Sequence, residues 1–267
     1  MQEPDVAAPV NQPRWWHTAG IGWTAGLLNG LIALGGGVIV TPWLVGQRRV
    51  DPQIAVGTSL ALVTVLSTIG FAAHYALGGL VLGPAAIGVS VLGGMSGAII
   101  GTRLLAHLTP RWMLVAFAVF VLAVAARLIL QGIGFFVTQS DGAQSVPLLA
   151  FFAFGGVSGV LSGVFGVGGG ALVLLGLAGF YGLPVQEGLP IALALNVSNA
   201  LFGVIHHMRA GRVMWMEVKV LVAAAVSGIA LGAWLALQLP PDTMRVIFGG
   251  FFLFMGARIA RQGWRLA

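Results

Sequence analysis

Gly26-Leu-Leu-Asn-Gly-Leu-Ile-Ala-Leu-Gly-Gly-Gly37 returns 133 residues later as Gly159-Val-Leu-Ser-Gly-Val-Phe-Gly-Val-Gly-Gly-Gly170. In that register Gly26, Gly30, Gly35, Gly36 and Gly37 fall on Gly159, Gly163, Gly168, Gly169 and Gly170. Three adjacent glycines inside an apolar run weaken a helix and open backbone angles closed to other residues. They also serve helix packing poorly. Each copy therefore reads as an apolar segment, 15–46 and 147–180, that breaks at its glycine triplet.

The same register continues outward from the two copies. It puts Gln53 on Gln186, Leu60-Ala-Leu62 on Leu193-Ala-Leu195, Gly70 on Gly203, and His74 on His207. After a two-residue slip, Gly97 and Gly101 meet Gly228 and Gly232, and Pro110 meets Pro241. The chain divides into two homologous halves, 14–133 and 147–267, joined by a linker, 134–146. Residues 1–13, with Glu3, Asp5 and three prolines, read as a disordered tail without a signal-peptide pattern.

Composition fixes the solvent of this chain. Of 267 residues, 58% are hydrophobic and 7% charged, and the mean hydropathy is +0.98. A soluble domain carries about 25% charged residues, so the surface must face lipid. Uncharged runs of 33, 51 and 45 residues separate Arg14 from Arg48, Asp51 from Arg103 and Asp141 from Glu187. A membrane helix needs about 20 apolar residues, and the 51-residue run holds two helices turning at Gly78-Gly79. Three such helices follow each glycine-broken segment. The Gly-xxx-Gly spacings (Gly26/Gly30, Gly93/Gly97/Gly101, Gly159/Gly163, Gly228/Gly232) let helices approach closely.

Charge supplies an orientation and excludes several classes. If each half crosses the bilayer four times, the halves are parallel and 8 basic residues face 5; if each crosses an odd number of times, the halves are inverted. Eleven basic residues then share the cytoplasmic side, and only Arg127 and Arg245 lie opposite. The net charge of +6 sits at the ends of apolar runs and does not point to nucleic acid. Without cysteine there is no disulfide framework or thiol chemistry, and no metal or cofactor motif is present. All seven acids fall in the tail, in loops or at helix ends. Cation carriers and carboxylate proton relays usually need a central carboxylate; an anion carrier can use helix N-termini, free N–H groups and amides.

The paired glycine segments resemble the signatures of the sulfite exporter TauE/SafE family of membrane permeases, over nearly the whole chain. The resemblance implies transport of small sulfur-containing anions such as sulfite or organosulfonates. The expected architecture is an all-α polytopic membrane protein of two inverted repeats, each a glycine-interrupted broken or re-entrant segment followed by three transmembrane helices. It would lie in the cell inner membrane and cross it several times, with a homodimer as one possible assembly. The expected anion-binding groups are Gly35, Gly36, Gly37, Gly168, Gly169 and Gly170, helped by Asn29, Asn196 and Asn199. Val63 and Leu66 occupy the first-half positions of the last two asparagines. His74 and His207 are candidates for gating or proton coupling. The competing readings are a passive anion channel, an intramembrane enzyme, which no Ser/His/Asp set or paired acid supports, and a non-transporting assembly subunit.

Overall fold

The computed structural model describes residues 15–77, 83–104, 110–135, 146–165 and 168–265. The tail, the Gly78-Gly79 turn and most of the linker lie outside them. The described residues fold into ten helices. The first half holds α1 (Trp15–Ile32), α2 (Gly37–Gly46), α3 (Pro52–Ala76), α4 (Pro84–Leu104) and α5 (Pro110–Gly132). The second holds α6 (Leu148–Phe165), α7 (Gly170–Tyr181), α8 (Val185–Arg209), α9 (Trp215–Gln238) and α10 (Pro241–Arg265). Both segments break at their glycine triplets as expected, the described breaks lying at 33–36 and 168–169.

By length and composition, helices at Gln53–Ala76, Val185–Arg209 and Trp215–Gln238 can cross a membrane, and several shorter apolar helices accompany them. Large apolar side chains stand exposed on these and neighbouring helices, among them Phe202, Trp234 and Phe254. In water such a surface would drive association; in a bilayer it is the wetted face. This is a membrane protein.

Local chemistry sets several helix ends. Asp51 caps α3, its Oδ1 accepting from the Gln53 N–H at 2.8 Å, with Pro52 in the first turn. Gly182, at φ 67°, ends α7 in the left-handed conformation.

The helices pair across the halves. α1 lies along α9, and α6 lies along α4. Glycine makes both contacts possible, because the partner backbone occupies the space of a Cβ. Gly26 abuts Ala225, Gly30 abuts Ile229 and Ala233, and Gly228 abuts Trp23 and Leu27. In the other pair Gly97 abuts Gly156, and Gly159 abuts Gly94 and Ala98. The small-residue spacings thus work as close helix contacts.

α3 and α8 run antiparallel through the centre: Gly57 meets His207, Leu60 meets Gly203, and Gly70 meets Leu193. At one end of the molecule the α2–α3 loop meets the start of α9. There Arg48 pairs with Glu217, and the Met214 N–H donates to Thr58 Oγ1 at 3.0 Å. At the other end Arg245 donates to the Gly182 carbonyl at 3.1 Å, and Gln186 donates to the Leu239 carbonyl at 3.0 Å.

Candidate functional site

Each broken segment folds back on itself. Gly36 lies beside Ala25 of α1, and Gly169 lies beside Ser158 and Ser162 of α6. The reversal uses left-handed backbone: φ is 68° at Gly35, 74° at Gly36, 76° at Gly168 and 81° at Gly169. A Cβ makes that conformation costly, which favours glycine at the first two positions of each triplet. Gly36 and Gly169 are the N-cap residues of α2 and α7. Each short helix therefore starts deep inside the protein.

The two loops converge on one pair of side chains. A Cβ at Gly35 would lie 2.9 Å from Val63 and 3.5 Å from Asn196 Nδ2. One at Gly168 would lie 2.7 Å from Asn196 Oδ1 and 3.2 Å from Val63. Val63 sits near the middle of α3 and Asn196 near the middle of α8, at corresponding positions of the 133-residue register.

Asn196 ties the loops together. Its Oδ1 accepts from the Gly170 N–H at 2.8 Å, and its Nδ2 donates to the Ala33 carbonyl at 2.7 Å. Asn199 donates to the Gly168 carbonyl at 2.9 Å. On the first half, the Gly35 N–H donates to Asn29 Oδ1 at 2.9 Å, and Asn29 Nδ2 donates to the Leu66 carbonyl at 2.9 Å. Ser67 adds a weaker donation to the same Oδ1 at 3.3 Å. All three asparagines are buried. In this conformation their amide donors hold backbone carbonyls, as a medium without water demands.

Every expected glycine and asparagine is thus gathered at the α3–α8 crossing. The two histidines are not. His74 is fully buried near the end of α3, where its Nε2 donates to the Gly30 carbonyl at 2.9 Å. His207 packs against Gly57 near the start of α3, towards the other end of the molecule.

Three contributors escape the repeat pattern. Ser158 donates to the Gly169 carbonyl, and Ser59 lies against Gly37. Their counterparts in the other half are Ala25 and Ala192, so a search for repeated polar residues passes over both. The third is Ala33, a non-glycine residue held at φ 52° with its carbonyl on Asn196. Such a conformation costs on the order of 1–3 kcal/mol and persists only when its surroundings enforce it.

Helices broken at matching places in two halves, with their N-termini turned into the protein, are the architecture of membrane transporters built on discontinuous helices. The comparisons narrow it. Residues 18–259 match the sulfite exporter TauE/SafE family, and the chain belongs to that family. It is similar to the probable membrane transporter protein YunE of Bacillus subtilis (strain 168), 25% identical over 91% of this chain and 96% of that protein. A probable membrane transporter protein of Xylella fastidiosa (strain Temecula1 / ATCC 700964) is 26% identical over 92% of this chain and 95% of its own. No solved structure matches. The protein is a membrane transporter, not an enzyme.

Proposed function

We propose that this transporter carries small sulfur-containing anions, such as sulfite or organosulfonates, through a site where its two glycine loops meet near the bilayer midplane. The observation that carries the reading is the convergence of two helix N-termini on Val63 and Asn196. Unpaired N–H groups and the helix dipole favour an anion there without any basic side chain. The asparagines shape the loops by bonding the Gly35 and Gly170 amides, and the amides left free at the glycine turns hold the ligand. His74 and His207, towards opposite ends, would act at the two mouths as gating or proton-coupling groups.

The test is binding of sulfite, sulfate, thiosulfate and methanesulfonate to purified protein by calorimetry, with counterflow in proteoliposomes. A carrier gives saturable exchange with at least one sulfur anion. Unsaturated flux without counterflow would point to a channel, and no binding would remove the substrate class.

The proposal includes inverted repeats in a multi-pass inner-membrane protein. Supporting it, the loops at Arg48 and Met214 lie at one end while the loop at Gly182 lies at the other. Antiparallel α3 and α8, and the exchange of α1–α9 for α4–α6, fit a two-fold relation between the halves. Gln47 and Ala210 are exposed, and the chain has no native cysteine to confuse labelling. Gln47→Cys and Ala210→Cys should both react with an impermeant maleimide from the cytoplasmic face. Reaction from opposite faces would overturn the inversion.

A further inference from the structure

We infer that the anion seat is one-sided: it lies at the N-terminus of α2, completed by the Ser59 hydroxyl, and it takes a monovalent sulfur oxyanion. The inference rests on the transport reading above and says which loop holds the ligand.

The two short helices begin alike, and their first N–H groups meet different fates. In α7 the Gly170 N–H is used by Asn196 Oδ1. A carboxamide oxygen on that N–H presents negative partial charge, which repels an anion. In α2 the corresponding N–H belongs to Gly37, and the residue at the Asn196 position is Val63. Valine offers no acceptor, and among the described residues no side chain takes the Gly37 N–H. The first amides of a helix have no carbonyl within the helix to bond, and Gly36 and Gly37 are both buried. A buried helix start without a partner calls for one from outside the chain.

Ser59 is the independent sign of that partner. It is 1% exposed, and among the described residues its Oγ has no hydrogen-bond partner. A serine within a helix can donate to the carbonyl four residues back, as Thr58 does to Ile54 at 2.7 Å. Ser59 instead leaves its hydroxyl against α2, 2.9 Å from where a Cβ on Gly37 would sit. The hydroxyl can rotate its proton towards the first turn of that helix. A deprotonated oxyanion supplies acceptors for both the amides and the hydroxyl.

The surroundings select charge. The side chains nearest to Gly35, Gly36 and Gly37 are Ser59, Val63, Asn196, Ala25, Leu62 and Leu66, and none of them is charged. The cost of moving an ion out of water rises with the square of its charge, and only a paired cation repays a large one. Neutral donors suffice for a single negative charge, as on a sulfonate or hydrogensulfite. The few donors here favour the single charge over the double charge of sulfate.

The experiment compares methanesulfonate and sulfate binding to detergent-purified wild type, Ser59→Ala and Val63→Asn, with thermal unfolding of each. Wild type should bind methanesulfonate at least about tenfold more tightly than sulfate. Ser59→Ala should lose roughly 10- to 100-fold in methanesulfonate affinity, the scale of one donor to a charged ligand. It should not unfold earlier, because an unpaired buried hydroxyl has been removed. Val63→Asn gives Gly37 the acceptor that Gly170 already has, and should lose affinity to a similar degree. Wild-type affinity in both variants overturns the seat while leaving transport of sulfur anions standing. Sulfate bound as tightly as methanesulfonate overturns the charge selection. A wild type that binds neither anion overturns this inference together with the substrate reading.

Discussion

Asn196→Ala should destabilise the folded transporter by about 2–6 kcal/mol, because it orphans two buried backbone groups at once and each costs roughly 1–3 kcal/mol. Those groups are the Gly170 N–H and the Ala33 carbonyl, which belong to different glycine loops. Alanine leaves both buried without a side-chain partner. The loss should also release Ala33 from its left-handed conformation, so the first loop rearranges even though the substitution lies in the second half. Asn199→Ala removes only the donor to the Gly168 carbonyl and should cost about half as much, on the order of 1–3 kcal/mol. Gln47→Ala, an exposed control, should stay within about 0.5 kcal/mol. Reversible unfolding in mixed micelles orders the three variants, and transport in proteoliposomes should fail first for Asn196→Ala. An Asn196→Ala protein as stable as the control would mean that the amide does not hold the loops.

Helix order and both breaks were open to sequence reasoning, because the bilayer leaves little choice. Uncharged runs must form helices, and a run holding Gly35-Gly-Gly37 or Gly168-Gly-Gly170 cannot form an unbroken one. The pairing of α1 with α9 and α6 with α4 was not readable. A Gly26/Gly30 spacing says that one helix face is flat, but the partner depends on which other flat face the chain brings alongside. The role of the asparagines was ambiguous for a related reason. A buried amide must be bonded, yet Asn196 reads the same whether its partner is a ligand or a carbonyl far away in sequence. Ser59 and Ser158 carried no signal of their own. Serine is common in membrane helices, and only the bend of each segment back on itself brings these two against a glycine loop.

Gly169→Val should cost more than about 4 kcal/mol, the range reserved for substitutions that combine strain with overpacking. Gly169 sits at φ 81°, where a β-branched side chain is a strained outlier. Its Cβ would also lie 2.6 Å from Ser158 Oγ and 2.8 Å from the Ser158 carbonyl. A hydroxyl can rotate away, but a helix carbonyl cannot. Gly36→Val meets the same backbone strain at φ 74°, yet its Cβ finds Ala25 at 3.2 Å and Leu66 at 3.3 Å. Leu66 can turn aside, so this variant should reach the membrane and lose transport while remaining folded. Gly36→Ala separates the two effects: it adds the strain, about 1–2 kcal/mol, with little bulk. Membrane abundance and monodispersity of the purified variants report folding, and anion counterflow reports function. The expected order of abundance is wild type, Gly36→Ala, Gly36→Val, then Gly169→Val. Equal abundance of the two valine variants would show that the Ser158 carbonyl yields, and wild-type counterflow in Gly36→Val would take the first loop out of the transport path.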